Sequence, residues 1–148
     1  MLDFKEQYAG KKVLITGGLG FIGSNLAHKL VSLGGEVTIL DANLARYGGN
    51  YFNISEIKDR VVVEEGDIRD TSAINRHVFG KDVIFNLAAQ VDHNYGMQNP
   101  HLDIDINCKG HINVLEECRK NHKNNPKCRI IFPGSRMQYG KVSDSDLP

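Results

Sequence analysis

The sequence has little of what marks several protein classes. Its 148 residues hold only three cysteines, Cys108, Cys118 and Cys128, an odd number with no C-x-x-C spacing. That argues against a disulfide framework and against a zinc site, and leaves buried free thiols as the expectation. No charge of one sign prevails, since Lys plus Arg and Asp plus Glu each number 18. Without a basic bias the surface offers no electrostatic footprint for nucleic acid or an anionic membrane. Apolar runs are only a few residues long, and the start Met-Leu-Asp-Phe-Lys-Glu-Gln lacks the apolar core of a secretion signal. A cytoplasmic protein is expected. With 41% hydrophobic and 24% charged residues, the length suits one well-buried domain rather than two.

Glycine, by contrast, is concentrated where it can carry chemistry. The stretch from Val13 to Gly23 begins with the apolar run Val13, Leu14 and Ile15, which suits a buried strand, and continues into glycines that end it at a tight turn. Gly18, Gly20 and Gly23 match G-x-G-x-x-G, and Gly17 adds an overlapping G-x-x-G-x-x-G. In that spacing one glycine permits the turn, one removes the Cβ that would collide with a phosphate, and Gly23 lets the next helix lie close. An anion then sits on unpaired N–H groups at the positive end of that helix. Ile22, Leu26, Ala27, Leu30, Val31 and Leu33 supply its amphipathic spacing, and Gly34 and Gly35 stop it. A second strand, 37–40, ends at Asp41, 21 residues after Gly20, where a carboxylate hydrogen-bonds the adenosine ribose in dinucleotide sites. Arg46 lies five residues further on; an arginine there can take a 2′-phosphate, but Asp41 would repel one, so NAD is favoured over NADP.

Further along, 43–53 reads as an irregular loop and 61–65 as a β-branched third strand running into Asp67. At a strand's carboxyl end Asp67 can accept from an adenine amino group with Ile68 packed on the ring, leaving Asp70 to cap a helix that starts near Thr71. A fourth strand, 82–87, leads to Ala88 and Ala89, small enough for a ligand to pass closely. The segment 91–100 is polar and would face a substrate; its His93 has no identifiable partner and reads as a surface residue. Helical spacing runs from about His101 to His122 behind Pro100, with Asn107 in its interior, and a last strand, 128–132, ends before Ser135. The pattern is α/β: a Rossmann-type, doubly wound parallel sheet of order 3-2-1-4-5. Strand 128–132 would then be an open edge, expected to be covered by a second copy or a rearranged tail.

The segments Thr16 to Ser24, Gly66 to Asp70, Asn86 to Gln90 and Ser135 to Gly140 together resemble the NAD-dependent epimerase/dehydratase family, extended short-chain dehydrogenases that modify nucleotide sugars. The resemblance implies a bound NAD that takes a hydride from a sugar carbon and later returns it, a nucleotide-sugar substrate, and a homodimer to which the helix from 101 to 122 could contribute. It implies catalytic roles for Ser135, on the sugar hydroxyl, and Asn107. The expected cofactor-contacting residues are Gly17, Gly20, Phe21, Ile22, Gly23, Asp41, Asn43, Asp67, Ile68, Leu87, Ala88, Ala89 and Gln90. One departure stands out: no Tyr-x-x-x-Lys pair follows Ser135, since Tyr139 is followed by Lys141. The chain is therefore expected to be the NAD-binding domain, residues 1–148, of a longer enzyme, truncated before the later strands and the substrate domain and inactive alone. A non-catalytic NAD-sensing module is the alternative. Arg136 and Met137, where dehydratases commonly carry acidic residues, lean towards an epimerase.

Overall fold

A computed structural model describes residues 3–135 together with 138 and 140. Five strands, β1 (Lys12–Thr16), β2 (Glu36–Asp41), β3 (Val61–Glu65), β4 (Val83–Asn86) and β5 (Arg129–Ile131), form one sheet in the order β3-β2-β1-β4-β5. Every neighbouring pair is parallel. This is the order the motif spacing predicts. Among the described residues β5 pairs with β4 alone, and it spans three residues rather than five.

The apolar runs behave as strands covered on both faces. Successive side chains alternate, so Val13 and Ile15 enter one core with Leu30, Val31, Ile39 and Phe85. Leu14 enters the other, with Leu40, Ile74, Ile84 and Val114. The first core is closed by α2 (Phe21–Ser32), the second by α3 (Thr71–Val78) and α6 (His111–Asn121). On α2 the buried face is Gly23, Ser24, Ala27, Leu30 and Val31. Ile22, expected on that stripe, is instead 65% exposed beside Phe21, which is 83% exposed. Asp70 caps α3, accepting from the N–H groups of Ser72 and Ala73, as its position predicts.

Several local expectations give way to tertiary contacts. The first residues contain a short helix, α1 (Phe4–Tyr8), capped by Asp3. The loop at 43–53 is ordered by two 3-10 turns, Ala45–Tyr47 and Tyr51–Ile54, the second burying Ile54 in the first core. The polar segment after β4 folds into α4 (His93–Gln98), capped by Asp92. The long helix at 101–122 is not continuous: α5 (Pro100–Ile104) passes through a π-helical turn, Asp105–Gly110, into α6. A widened turn of this kind re-aims side chains that a regular helix would send elsewhere. The cysteines are not buried as a group, because Cys108 lies on the outer side of that turn and is exposed, while Cys118 and Cys128 are half-buried.

His111 begins α6, packs edge-on against Phe132 with ring centroids 4.9 Å apart, and has a buried Nδ1 without a hydrogen-bond partner among the described residues. Burial pushes its pKa down, and burial likewise outweighs Glu64 in pushing His77 down. Depressed imidazoles stay neutral in the fold while the unfolded chain takes up protons. Stability is therefore fully present above the unfolded histidine pKa of about 6.5 and is lost as pH falls below it. Thermal melts from pH 7.5 to 5.5 are expected to show a falling Tm that His111→Gln blunts; a Tm unchanged across this range would contradict the assignment.

Candidate functional site

At the carboxyl ends of the strands, where the order reverses around β1, the loops after β1, β2, β3 and β4 enclose a cleft of about 380 Å³. Open α/β sheets bind ligands at such a switch point. The glycine loop forms its floor. Gly17 has φ +70, and a Cβ on it would stand 2.8 Å from the Ala88 backbone, so Gly17 rather than Gly18 makes the turn. Gly18 lies against the Ile39 side chain. A Cβ on Gly23 would meet Gly17 O at 2.3 Å, so the third glycine lets α2 sit on the loop itself. At Gly20 the nearest atom to a Cβ is 3.4 Å away, and Gly20 is the N-cap of α2 with no side-chain cap and no acidic residue in the first turn. The helix thus presents bare backbone and uncommitted N–H groups to the cleft.

Asp41 ends β2 in this cleft. One carboxylate oxygen accepts from Leu19 N–H at 2.9 Å and the other from Asn43 N–H at 2.8 Å. The carboxylate therefore holds both the glycine loop and the turn that follows it. Asn43 is the one non-glycine residue with positive φ, at +47, among the described residues; it shapes the turn and does not line the cleft. Asp67 and Ile68 line the far end. Burial would raise the Asp67 pKa, but hydrogen bonds from the Arg69 side chain and backbone outweigh it and hold the carboxyl below its ordinary range. Arg69 Nε donates to both Asp67 oxygens at 3.0 Å.

On the β4 side, Thr16 Oγ1 donates to Asn86 Oδ1 at 3.0 Å and accepts from Leu87 and Ala88 N–H at 3.0 and 3.1 Å. This fixes Leu87, Ala88 and Ala89 along the cleft wall. Gln90 turns away from it and is buried. Its backbone N–H donates to Asn107 Oδ1 at 2.8 Å, its backbone C=O accepts from Asn107 Nδ2 at 3.0 Å, and its amide bonds Asp103 and the Asp92 backbone. Asn107 Nδ2 also reaches Asp103 Oδ1 at 3.0 Å. Asn107 is thus neither solvent-facing nor in the cleft lining; it clamps the wall to the π-turn. Ser135 follows β5 and is exposed; Pro133, two residues earlier, lines the cleft, whereas Ser135 does not.

Eleven of the thirteen expected cofactor-contacting residues, all except Asn43 and Gln90, are brought together in the lining. Leu44, Tyr47, Val91 and Ile106 also line the walls; the first three lie in loops expected near the site but were not singled out as residues, and Ile106 was not foreseen. Thr16, Asn86 and Asp103 act one layer behind. A Tyr-x-x-x-Lys spacing does occur at Tyr8 and Lys12, but Lys12 begins β1, at the edge of the sheet opposite the cleft.

A family profile described as GDP-mannose 4,6 dehydratase matches residues 14–147. The CDP-paratose 2-epimerase of Salmonella typhi is 38% identical over 135 residues, covering 88% of this chain and 38% of its own length. The dTDP-glucose 4,6-dehydratase of Mycobacterium tuberculosis is 31% identical over 111 residues, covering 74% and 33%. Among solved structures, an epimerase of Methanothermobacter thermautotrophicus superposes with a TM-score of 0.81 at 33% identity, over 97% of this chain and 41% of that one. The UDP-glucose 4-epimerase of Thermus thermophilus, in complex with NAD, gives 0.66 at 33% identity, over 74% and 34%. The chain therefore spans between about a third and two fifths of the length of these relatives.

The glycines separate by role in a way melting can read. Gly23→Ala forces a methyl onto backbone that cannot yield and is expected to cost about 2–4 kcal/mol. Gly20→Ala meets only an ordinary contact with Gly17 O at 3.4 Å and should cost no more than about 1 kcal/mol, the scale of an N-cap preference. Equal losses in the two variants would mean the loop is not packed as described.

Proposed function

The chain belongs to the NAD-dependent epimerase/dehydratase family, and from that premise we propose that residues 1–148 are the dinucleotide-binding domain of a nucleotide-sugar epimerase or dehydratase, with NAD held in the cleft. The observation that carries this reading is the lining itself: a bare helix N-terminus, the Asp41 carboxylate bonded to the glycine loop beside it, Asp67 at the far end, and, among the described residues, no Lys, Arg or His side chain. The residues fit the group. The open approach at Gly20 suits a pyrophosphate, Asp41 suits ribose hydroxyls, and Asp67 with Ile68 suits the adenine. Leu87, Ala88 and Ala89 would flank the nicotinamide ribose, where small side chains leave room.

When bound, NAD supplies a hydride acceptor for a sugar carbon. Ser135, on the same edge of the sheet, would hold the sugar hydroxyl as its proton leaves. Asn107 is better read as a positioning residue than as a catalytic one, because both ends of its amide are committed to the Gln90 backbone. The 148 residues alone would bind cofactor without turning over sugar, since no tyrosine and lysine at the family's spacing follow Ser135.

Self-association is proposed through α5 and α6. Ile104, Ile112 and Leu115 are 47%, 56% and 48% exposed, at spacings that put them on one side of the helix. Light scattering is expected to report a dimer that Ile112→Glu with Leu115→Lys converts to a monomer. A monomeric parent chain would overturn this part.

Calorimetric titration of the 148-residue chain with NADH tests the main proposal. Saturable binding is expected, weakened at least about tenfold by Gly20→Val, which fills the phosphate approach; a cooperative melt of the variant shows that it is folded. A folded chain showing no binding at millimolar NADH would sink the reading.

A further inference from the structure

The loop after β2 contains a single basic residue within 42–49, Arg46. Its neighbours Leu44 and Tyr47 line the cleft, but Arg46 does not. Its guanidinium carbon lies 3.9 Å from the centroid of the Tyr95 ring, and its Nε is 4.0 Å from Asp92 Oδ2. Tyr47 meets the same Tyr95 ring edge-on at 6.5 Å. Asp92 and Tyr95 belong to the β4 side of the cleft, across β1 from the ribose end where Asp41 sits. Arg69, which bonds the cleft residue Asp67 through its Nε, is committed there.

We propose that Asp92 and Tyr95 are specificity-determining residues for the cofactor: by holding the Arg46 guanidinium against the α4 wall, they withhold from the ribose end the cation that a 2′-phosphate would need. The proposal rests on the dinucleotide reading of the cleft and adds how selection between NAD and NADP is enforced. Asp41 supplies repulsion towards a 2′-phosphate. That repulsion alone is incomplete protection, because a flexible arginine five residues on could swing in and offset it. The aromatic face and the carboxylate of α4 act on the same guanidinium, one through the ring quadrupole and one through charge. Each contact is modest at an exposed site; together they bias the side chain to the far wall. Tyr95 also receives the edge of Tyr47, so the ring that takes the arginine is itself held by a cleft residue.

The test compares NADH and NADPH dissociation constants for the 148-residue chain and four variants. Asp92→Asn keeps a good helix cap, and Tyr95→Leu removes the ring while keeping apolar bulk. In the D92N/Y95L double variant NADPH is expected to tighten about tenfold relative to NADH, the scale of one hydrogen bond to a charged group. R46A in the parent chain should leave the NADPH to NADH ratio within about twofold, and R46A added to the double variant should erase the gain. Retained NADH binding is the internal control for folding, and D92N alone must move the ratio in the same direction. An unchanged ratio in D92N/Y95L, or a loss of relative NADPH affinity from R46A in the parent chain, would overturn the proposal. A parent chain that binds neither nucleotide would overturn the dinucleotide reading, and this proposal with it.

Discussion

The close approach of two backbones at the carboxyl ends of β1 and β4 is the constraint on which the rest of the site depends. Gly17 passes so near Ala88 that a single Cβ would stand 2.8 Å from it. Thr16 Oγ1 bonds the N–H groups of Leu87 and Ala88 from the neighbouring strand end. These contacts set where β1 stops, where α2 begins and how the β4 wall leaves the sheet. Interiors are packed too densely for such an approach to relax by degrees. Thr16 therefore stays buried despite its hydroxyl, which is satisfied three times over.

The second wall is held by polar groups rather than by packing. Asp103, Asn107 and Gln90 share one hydrogen-bonded cluster, and Gly96 closes over it: a Cβ there would stand 2.8 Å from Gln90 Nε2 and 3.2 Å from Asp103 Oδ1. Buried amides left unpaired would cost about 1–3 kcal/mol each, so the cluster is stable only when complete. The π-helical turn carries the Asn107 side of the clamp. A regular helix from 100 to 122 would give better backbone hydrogen bonds but aim the asparagine elsewhere; the wider turn places both ends of the amide on Gln90.

What the sequence made legible follows from this division. The glycine spacing, the Asp41 offset and the runs at 13–15 and 61–65 report constraints on backbone and burial that act locally, so their residue types betray them. Asp41 did prove to be in the cleft, although it also holds Leu19 and Asn43, which spacing could not say. The Gln90 clamp and the Arg46 contact with Tyr95 were not legible, because each joins side chains from separate loops and leaves no periodic trace. Asn107 illustrates both sides. Its poor helix propensity marked it as unusual, yet only the fold reveals that its partner is the Gln90 backbone 17 residues earlier. Ile22 fits both the apolar helix spacing and the expected cofactor contacts; it is exposed and lines the cleft, so at that position the spacing misleads.

A neutral chain with two carboxylates in its cleft and, among the described residues, no basic side chain lining it poses an electrostatic question. A pyrophosphate there would be held by neutral donors, the N–H groups at the start of a 12-residue helix. Such donors sit at fixed positions and need no long side chain to be ordered, so little entropy is lost on binding. They are also screened by salt far less than surface lysines, because Phe21 and Ile22 place apolar surface beside them. The acceptors lie further along, with Asp41 bonded to the glycine loop at Leu19 and Asp67 at the far end, where ribose hydroxyls and an adenine amino group would donate. The cleft is thus polar by direction rather than by net charge. A cation added along its length would blur that direction by attracting phosphate to the ribose end, which is why the geometry that turns Arg46 outward belongs with the glycine loop as part of a single design.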